Sequence, residues 1–265
     1  MLDATQKYNE PLTAERLFGW HAALFPTARS GMHKIITGGW RDDRNGPMQV
    51  VSGPVGRERV HFEAVPAARI DEDMKAFLAW FNAAPDTDPV LKAGLAHLWF
   101  VTIHPFEDGN GRIARAIADM ALARSEGSPQ RFYSMSAQIR LERNAYYDIL
   151  EATQKGDLDI TAWLTWFLAC LGRAFGGAEA ILAGVLTTAR FWEKHAGAAF
   201  NDRQRDMLNR LLGAFEGKLT SSKWAKIEKC SPDTALRDIK DLVDRGVLKK
   251  DEGGGRSTSY SLATP

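Results

Sequence analysis

A strongly apolar segment at residues 90–103 runs directly into a polar, glycine-containing loop. Leucines and aromatic residues of the segment VLKAGLAHLWFVTI recur at helical spacing around most of the helix. A helix that is apolar on most of its sides belongs in a core, so the segment predicts a central buried helix. The loop at residues 104–110 therefore starts from the protein interior. A second helix is predicted directly after it, from about residue 111 to residue 124.

The pattern of the chain is otherwise mostly helical up to residue 195. Apolar residues at helical spacing predict further helices at residues 14–25, 67–81, 136–154 and 159–195. Short apolar stretches at Met48–Ser52 and Arg59–Phe62 flank a turn at residues 53–56 and predict a small β-hairpin. This hairpin is the one clear strand signal in the first 200 residues. We therefore expect a mainly α fold.

The chain beyond residue 195 has a different organisation. A short stretch at residues 196–202 predicts a linker. Three short helices follow, at residues 203–215, 221–228 and 231–246. They are followed by a hairpin, with strands at residues 247–250 and 258–262 and a glycine turn at residues 253–255. This order is typical of a winged helix-turn-helix domain. The sequence thus predicts two domains, at residues 1–199 and 200–265.

Composition excludes several classes of protein. With 34 Lys and Arg against 33 Asp and Glu, the net charge of +1 excludes a generic polycation that binds nucleic acid through bulk charge. Two cysteines cannot form a disulfide framework or a zinc site by themselves, and they fit a reducing compartment. The pattern shows neither a signal peptide nor a membrane-spanning run, so a soluble cytoplasmic protein without a membrane partner is expected.

The stretch HPFEDGNGRIAR, at residues 104–115, gathers groups that are suited to binding phosphate. Free N–H groups at the start of the second helix form an anion site, and Gly109 and Gly111 allow a ligand to approach the backbone. Arg112 and Arg115 are three residues apart and face the same mouth, which gives a pair of guanidinium groups for phosphate oxygens.

The same stretch also carries a carboxylate and an imidazole. Asp108 offers a hard oxygen for a Mg²⁺ ion carried by the phosphates. His104 lies at the other lip of the loop and can serve as a general base. Each residue alone has an ordinary structural reading, and Phe106 is expected only to anchor the loop. Their combination in one short segment predicts a site for phosphoryl-type transfer.

Residues 104–115 resemble the signature of the Fic family, His-x-Phe-x-(Asp/Glu)-Gly-Asn-Gly-Arg-x-x-Arg, at every specified position. The resemblance covers about residues 10–195, with the hairpin at about residues 48–62 where the family has its flap. It implies a Fic-type helical core and a protein adenylyltransferase. Such an enzyme transfers AMP from Mg-ATP to a Ser, Thr or Tyr hydroxyl of a target protein or of itself, and releases pyrophosphate.

The resemblance implies roles for the residues of the motif. His104 would deprotonate the target hydroxyl, and Asp108 would hold Mg²⁺ between the α- and β-phosphates. The anion hole would come from the backbone around Gly109, Asn110 and Gly111, with the Asn110 side chain added. Arg112 would bind the β- and γ-phosphates, whereas Arg115 would reach the γ-phosphate.

The resemblance also implies roles outside the motif. The flap would dock a target segment by strand addition, through Arg59, Val60 and His61. Residues 143–147, RNAYY, resemble the nucleoside-pocket helix of the family. The lining residues of that pocket would be Tyr146 or Tyr147, with Gln154 near the base. Packing within the helical body is an equally good explanation of the two tyrosines.

Many Fic proteins carry an inhibitory helix with the pattern (Ser/Thr)-x-x-x-Glu-(Gly/Asn), whose glutamate pairs with the second arginine of the motif. Glu126-Gly127 and Glu216-Gly217 have leucine at the Ser/Thr position, so neither fits. We therefore expect an uninhibited form in which Arg115 is free for ATP. The native protein is expected either to begin upstream of Met1 or to be regulated differently.

Other functions stay open. The enzyme could transfer another phosphate-containing group or remove AMP. Alternatively, the protein could be a DNA-binding regulator whose Fic core senses a nucleotide. The predicted reading helix, Asp233–Arg245, carries three basic and four acidic residues, a net charge of −1, whereas the wing with Lys249, Lys250 and Arg256 is more basic. This favours a protein partner over DNA. A homodimer is a family expectation.

Overall fold

The computed structural model describes residues 2–54, 56–84, 87–213, 215–252 and 258–263. The chain forms two compact units, Met1–Ala178 and Glu179–Pro265. Each unit has its own apolar core. The units divide within a long helix, whereas the sequence places the domain boundary at residues 199 and 200. The predicted turn at residues 253–255 and Arg256 of the predicted wing lie outside the described residues, as does Val55 of the hairpin turn.

Helices form most of the first unit. In chain order they are α1 (Leu2–Gln6), α2 (Ala14–Leu24), α3 (Ala67–Asn82), α4 (Pro89–Ile103), α5 (Asn110–Glu126), α6 (Met135–Leu141), α7 (Arg143–Lys155) and α8 (Thr161–Lys194), and α8 continues into the second unit. The helix predicted over residues 136–154 is divided at Glu142, whose carboxylate accepts two hydrogen bonds from Arg173 on α8. The sequence did not predict α1.

The core of the first unit is built around α4 and α5. As predicted, α4 is buried on most of its sides, and it begins at an Asp88 cap whose side chain accepts N–H bonds from the first turn. Gly94 lets α8 approach closely, since an added Cβ would lie 3.1 Å from the Phe167 ring. Trp163 of α8 donates its indole N–H to the Gly94 carbonyl over 2.9 Å. Helix α4, which leads into the polar loop, is therefore packed closely against α8 inside the core.

Four short strands complete the described part of the first unit. They are β1 (Arg29–Ser30), β2 (His33–Lys34), β3 (Gln49–Ser52) and β4 (Arg59–Glu63), and they pair as two antiparallel ribbons, β1 with β2 and β3 with β4. The β3–β4 ribbon confirms the predicted hairpin, whereas β1 and β2 were not predicted. In the register, Val50 pairs with Phe62 and Val51 pairs with Val60, so His61 is an extra residue that forms a bulge.

In the described part of the second unit, the end of α8 is followed by three short helices and a ribbon. These elements are α9 (Asp202–Leu212), α10 (Ser221–Ile227), α11 (Pro232–Asp244), β5 (Leu248–Lys250) and β6 (Tyr260–Leu262). Ser231 caps α11, because its hydroxyl accepts the Thr234 N–H over 3.1 Å. Asp238 of α11 accepts bonds from Arg203 and Asn201 at the start of α9. These polar contacts hold α11 against α9.

One helix in the described part of the chain, α8, is long and apolar enough to cross a membrane by length and composition. Its first half packs into the core of the first unit through Trp163, Phe167 and Cys170, which are fully buried. A core helix of a soluble protein meets the same length and composition test. The expected absence of a membrane-spanning segment stays a prediction.

Candidate active site

The loop between α4 and α5 opens into a cavity of about 700 Å³. The flap ribbon β3–β4 and helix α7 form its other walls. This volume lies within the range of small-molecule sites in proteins. The sequence-predicted residues that line it are His104, Asp108, Gly109, Asn110, Gly111, Arg112, Arg115, Tyr146, Tyr147, Gln154 and His61. Arg59 and Val60 belong to the flap strand β4 but do not line the cavity.

The His104 ring is held in one tautomer. His104 caps α4 with a left-handed backbone, φ 54°, which non-glycine residues seldom adopt. Its Nδ1 lies 3.0 Å from the Val101 carbonyl oxygen. A carbonyl only accepts, so Nδ1 carries the proton and Nε2 is left with its lone pair. Nε2 makes no hydrogen bond to any described residue, and it is therefore available to accept a proton.

Burial keeps the His104 imidazole neutral at physiological pH. Desolvation lowers the pKa of His104 below its ordinary value of 6.5, and the nearby Arg41 guanidinium acts in the same direction. Arg41 is itself buried and donates to the His104 carbonyl over 2.8 Å, and its backbone N–H donates to Pro105. Arg41 thus helps to hold the His104 backbone in position and favours the neutral ring, a role that no sequence motif predicts.

Asn110 braces the loop from inside. Its Oδ1 accepts the Phe106 N–H over 3.0 Å, and its Nδ2 donates to the Phe106 carbonyl over 2.7 Å. Phe106 is fully buried and stacks on the His21 ring at 4.2 Å, which confirms its predicted anchoring role. Both polar ends of Asn110 are engaged here, so its predicted contribution to an anion hole stays a prediction.

Gly109 is needed for the start of α5. Its φ of 84° is left-handed, and an added Cβ would lie 2.9 Å from the Phe25 ring. An added Cβ at Gly111 would meet only the Arg115 guanidinium, at 3.7 Å. The Gly109 N–H donates to Asp108 and the Arg112 N–H donates to the Gly109 carbonyl, so the N–H groups of Asn110 and Gly111 are the donors that this N-terminus presents, together with the positive end of the dipole.

Two arginines add full charges beside that helix end. Arg112 lies over the Phe25 ring at 4.7 Å and is 3.8 Å from the Asp108 carboxylate. The Arg115 guanidinium makes no hydrogen bond or ion pair with any described residue. An unpaired guanidinium beside free N–H groups is suited to binding an anion, because both favour negative charge at the same place.

Asp108 is the carboxylate at the mouth of the loop. Its two oxygens accept bonds from the Ser30 hydroxyl and the Gly109 N–H, each at 2.5 Å, and 46% of its side chain is exposed. The described residues contain no group of three or more His, Cys, Asp or Glu side chains that could hold a metal ion. A single carboxylate can nevertheless share a Mg²⁺ ion with ligand phosphates.

The predicted nucleoside pocket is formed in part by packed residues. Tyr146 is buried, and its hydroxyl shares a hydrogen bond with His97 over 2.9 Å. Burial lowers the pKa of His97 to about 3, so His97 is a neutral core residue. Tyr147 is half exposed, and Gln154 donates to Thr102 over 3.1 Å. Their contact with an adenine base stays a prediction.

Sequence reasoning missed Glu151 of α7. Its carboxylate accepts bonds from Lys155, from His61 and from Arg59, at 2.7, 2.5 and 2.8 Å. These bonds hold the pKa of Glu151 at about 2, and they join α7 to the flap. The one signal in the sequence is the four-residue spacing from Glu151 to Lys155 on a helix, which is common on solvated surfaces.

Removing the Asn110 side chain should destabilise the protein. In Asn110→Ala, the N–H and the carbonyl of Phe106 lose their partners inside the core, so the free energy of unfolding should fall by about 1–3 kcal/mol. Urea denaturation measures this change. Asn144→Ala, at an exposed asparagine of the same cavity, is the matched control and should change stability little. Equal stability of the two variants would contradict the bracing role.

A sequence model of the Fic/DOC family matches residues 11–122. The chain is also similar to two curated adenylyltransferases. Protein adenylyltransferase fic-1 of Caenorhabditis elegans is 31% identical over 129 residues, which are 48% of this chain and 23% of the relative. Protein adenylyltransferase Fic of Culex quinquefasciatus is 36% identical over 87 residues, or 32% of this chain and 16% of the relative. The chain thus spans less than a quarter of the length of either relative.

Solved structures share the fold. A Fic family protein from Desulfovibrio desulfuricans G20 superposes with a TM-score of 0.52 at 20% identity, covering 98% of this chain and 72% of that one. A Fic domain containing signaling protein from Bacteroides thetaiotaomicron VPI-5482 gives a TM-score of 0.51 at 22% identity, covering 67% and 65%. The family match includes the flap and the α4–α5 loop. The chain therefore contains a Fic/DOC domain, at residues 11–122.

Proposed function

We propose that the protein transfers AMP from ATP to a hydroxyl side chain of a target protein and releases pyrophosphate. The observation that carries the proposal is the His104 ring, which is neutral and has a free Nε2 on the wall of the cavity. An anion site that would only sense a nucleotide does not require a base at this position. The similarity to protein adenylyltransferases supports a transferase of the Fic kind.

In the proposed reaction, His104 acts as the general base. Nε2 accepts the proton of the target hydroxyl while that oxygen bonds to the α-phosphorus of ATP. The bond from the α-phosphorus to the bridging oxygen breaks, and pyrophosphate leaves. The Nδ1–H bond to the Val101 carbonyl stabilises the imidazolium that forms, because a carbonyl oxygen interacts more strongly with a charged donor.

The triphosphate would be bound by the start of α5. Its N–H groups and the Arg112 and Arg115 side chains can distribute their positive charge over the phosphate oxygens. Charge moves onto the leaving pyrophosphate during transfer, so donors fixed at that place stabilise the transition state more than the ground state. Arg115 has no competing ion pair in the described chain, and binding therefore does not require breaking one.

A Mg²⁺ ion fits Asp108 in this arrangement. The carboxylate is a hard oxygen donor, and its large exposed fraction leaves it accessible at the mouth of the loop. Such an ion would neutralise charge on the phosphates when bound. The nucleoside end would lie along α7, towards Tyr147 and Gln154. The flap ribbon has free strand edges that could pair with a target segment.

Removal of the base tests the reaction. The protein is incubated with α-labelled ATP, Mg²⁺ and a cell lysate, and label on lysate proteins is measured. His104→Ala should reduce this label by about a hundredfold or more, as expected for loss of a general base. His33→Ala changes an exposed histidine of β2 and should have no effect. Absence of transfer from all four nucleoside triphosphates would favour a nucleotide-sensing regulator.

The pH dependence of transfer should report His104. A protonated ring cannot accept the hydroxyl proton, so activity is lost as the pH falls through the pKa of His104. Because burial lowers this pKa, the acidic limb of kcat/KM should have its midpoint below 6.5. The profile should then be flat from about pH 7 to pH 8. A midpoint above 6.5 would contradict a neutral resting base.

Arg115 should contribute to nucleotide binding. Hydrogen bonds to a charged group contribute about 1.5–3 kcal/mol, so Arg115→Ala should raise the KM for ATP by about tenfold to a hundredfold. Steady-state transfer at varied ATP concentration measures the change. Arg140→Ala removes an exposed arginine of α6 and is the matched control. An unchanged KM would place the triphosphate elsewhere.

For the second unit, we propose a winged helix that binds protein rather than DNA. The order of α9, α10, α11 and the β5–β6 ribbon supports this fold. Asp238 and Asp241 of α11 pair with Arg203 and Arg245, so part of the basic charge in this unit is already neutralised. A major-groove helix needs free cations for phosphate. Among the residues that the structure describes, the side chains of α11 that make no ion pair are two acidic and two basic ones, Asp233, Asp244, Arg237 and Lys240.

A further inference from the structure

The two arginines at the start of α5 differ in how they relate to the carboxylate four residues away. Arg112 lies 3.8 Å from Asp108, four residues earlier. Within the described chain, Arg115 forms no ion pair with Asp119, four residues later, although opposite charges at this spacing share a helix face and commonly pair. The Arg115 guanidinium lies towards the helix start instead, where its Nη1 is 3.7 Å from the place of an added Gly111 Cβ. The spacing alone therefore does not explain why Asp119 leaves Arg115 free.

Asp119 is held by Arg131, from the loop between α5 and α6. Nη1 of Arg131 donates to Oδ1 of Asp119 and to the Asp119 carbonyl, each over 2.9 Å. The other two nitrogens of this guanidinium, Nε and Nη2, are buried and make no hydrogen bond to any described residue. In the described chain, all hydrogen bonds of the Arg131 side chain therefore go to Asp119.

This ion pair is largely shielded from solvent. The Arg131 side chain is 7% exposed, and the Asp119 side chain is 27% exposed. The guanidinium lies over the Tyr133 ring at 4.3 Å, and the Tyr133 hydroxyl donates to Glu126. A partly buried carboxylate that loses its counter-charge is in a costly state. If Arg131 were removed, Asp119 would therefore be stabilised by any other cation within reach.

Arg115 is the cation within reach. Burial raises the pKa of Asp119 above its ordinary value of 3.8, and Glu126 adds to this rise, whereas the guanidinium groups of Arg131 and Arg115 both oppose it. Arg115 is thus close enough to act on the same carboxylate. Side chains on a helix lean towards its N-terminus, so the Asp119 carboxylate lies over the turn that carries Arg115.

We infer that Arg131 is a positioning residue for nucleotide binding, which holds Asp119 and thereby leaves the Arg115 guanidinium free for phosphate. This inference rests on the proposed function, in which Arg115 binds the triphosphate. Without Arg131, Asp119 pairs with Arg115, and the phosphates must displace a carboxylate before they can bind. The described residues that line the cavity include Arg115 but not Arg131 or Asp119, so Arg131 acts on the ligand through these two side chains.

Nucleotide binding tests the inference without relying on transfer. Titration calorimetry of the full chain gives the Kd of the α,β-methylene analogue of ATP with Mg²⁺, at about pH 8, where an aspartate side chain is ionised. Arg131→Gln should raise this Kd by about three- to tenfold, because the phosphates then compete with an ion pair. Arg131→Lys keeps a cation beside Asp119 and should restore most of the affinity. Asp119→Asn should bind as tightly as the native protein.

Two double variants test the route through Asp119 and Arg115. Arg131→Gln with Asp119→Asn should bind the analogue like the native protein, because the competing charge is gone. Arg131→Gln with Arg115→Ala should bind no more weakly than Arg115→Ala alone, since there is no guanidinium left to capture. Low affinity in the first double variant, or additive losses in the second, overturns the inference.

A matched control separates this role from support of the loop. Tyr133→Leu removes the ring under the Arg131 guanidinium and the bond to Glu126, but it leaves Arg131 and Asp119 in the chain. It should lower the thermal midpoint and keep the Kd near the native value, and circular dichroism establishes that each variant is folded. If Tyr133→Leu weakens binding as much as Arg131→Gln does, Arg131 only supports the loop and the inference fails.

The outcomes also separate this inference from the proposed function. If Arg115→Ala weakens binding of the analogue and Arg131→Gln does not, the inference alone is overturned. If the native protein binds no nucleotide, the proposed function is overturned as well.

Discussion

The two hydrogen bonds between the Asn110 side chain and the Phe106 backbone hold the rest of the site in place. They close the polar loop into a fixed shape directly after a buried helix, where an unpaired N–H or carbonyl would be costly. Phe106 attaches this shape to the core through its buried ring. The base, the carboxylate and the helix N-terminus are all carried by this one braced segment, so their mutual positions depend on it.

The position of this segment against the core also determines the protonation state of His104. The segment has two acidic side chains, Glu107 and Asp108, two guanidinium groups and a helix dipole, and the His104 ring among them is neutral. Burial of His104 and the nearby Arg41 guanidinium both favour the neutral ring. The Val101 carbonyl then selects the tautomer with a free Nε2. One imidazole is therefore kept ready to accept a proton beside a strongly positive site for an anion.

Local pattern in the sequence predicted the scaffold of this site. The apolar periodicity gave α4, the glycines and polar residues gave the loop, and alternating stretches gave the β3–β4 ribbon. Each of these depends on residues close in the chain, where spacing and geometry are directly related. The anchoring role of Phe106 could be predicted for the same reason, since a large aromatic side chain in a polar loop must be covered.

The supporting contacts could not be predicted, because they join distant parts of the chain. His61 and Glu151 are 90 residues apart, and Arg41 and His104 are 63 apart. No spacing rule connects such pairs, and neither Glu151 nor Arg41 belongs to a sequence motif. The bulge at His61 adds a second obstacle, because one extra residue changes which side chains share a face.

Helix α7 lies beyond the family match, which ends at residue 122, yet it completes the cavity. The groups that handle phosphate all come from the matched segment, whereas Tyr147 and Gln154 on α7 line the other end of the cavity. Glu151 of the same helix pairs with Arg59 and His61 of the flap. One helix thus lines the cavity and holds the flap. Under the proposed function, a change in α7 would alter which base or which hydroxyl is used, while the loop that binds the phosphates would stay unchanged.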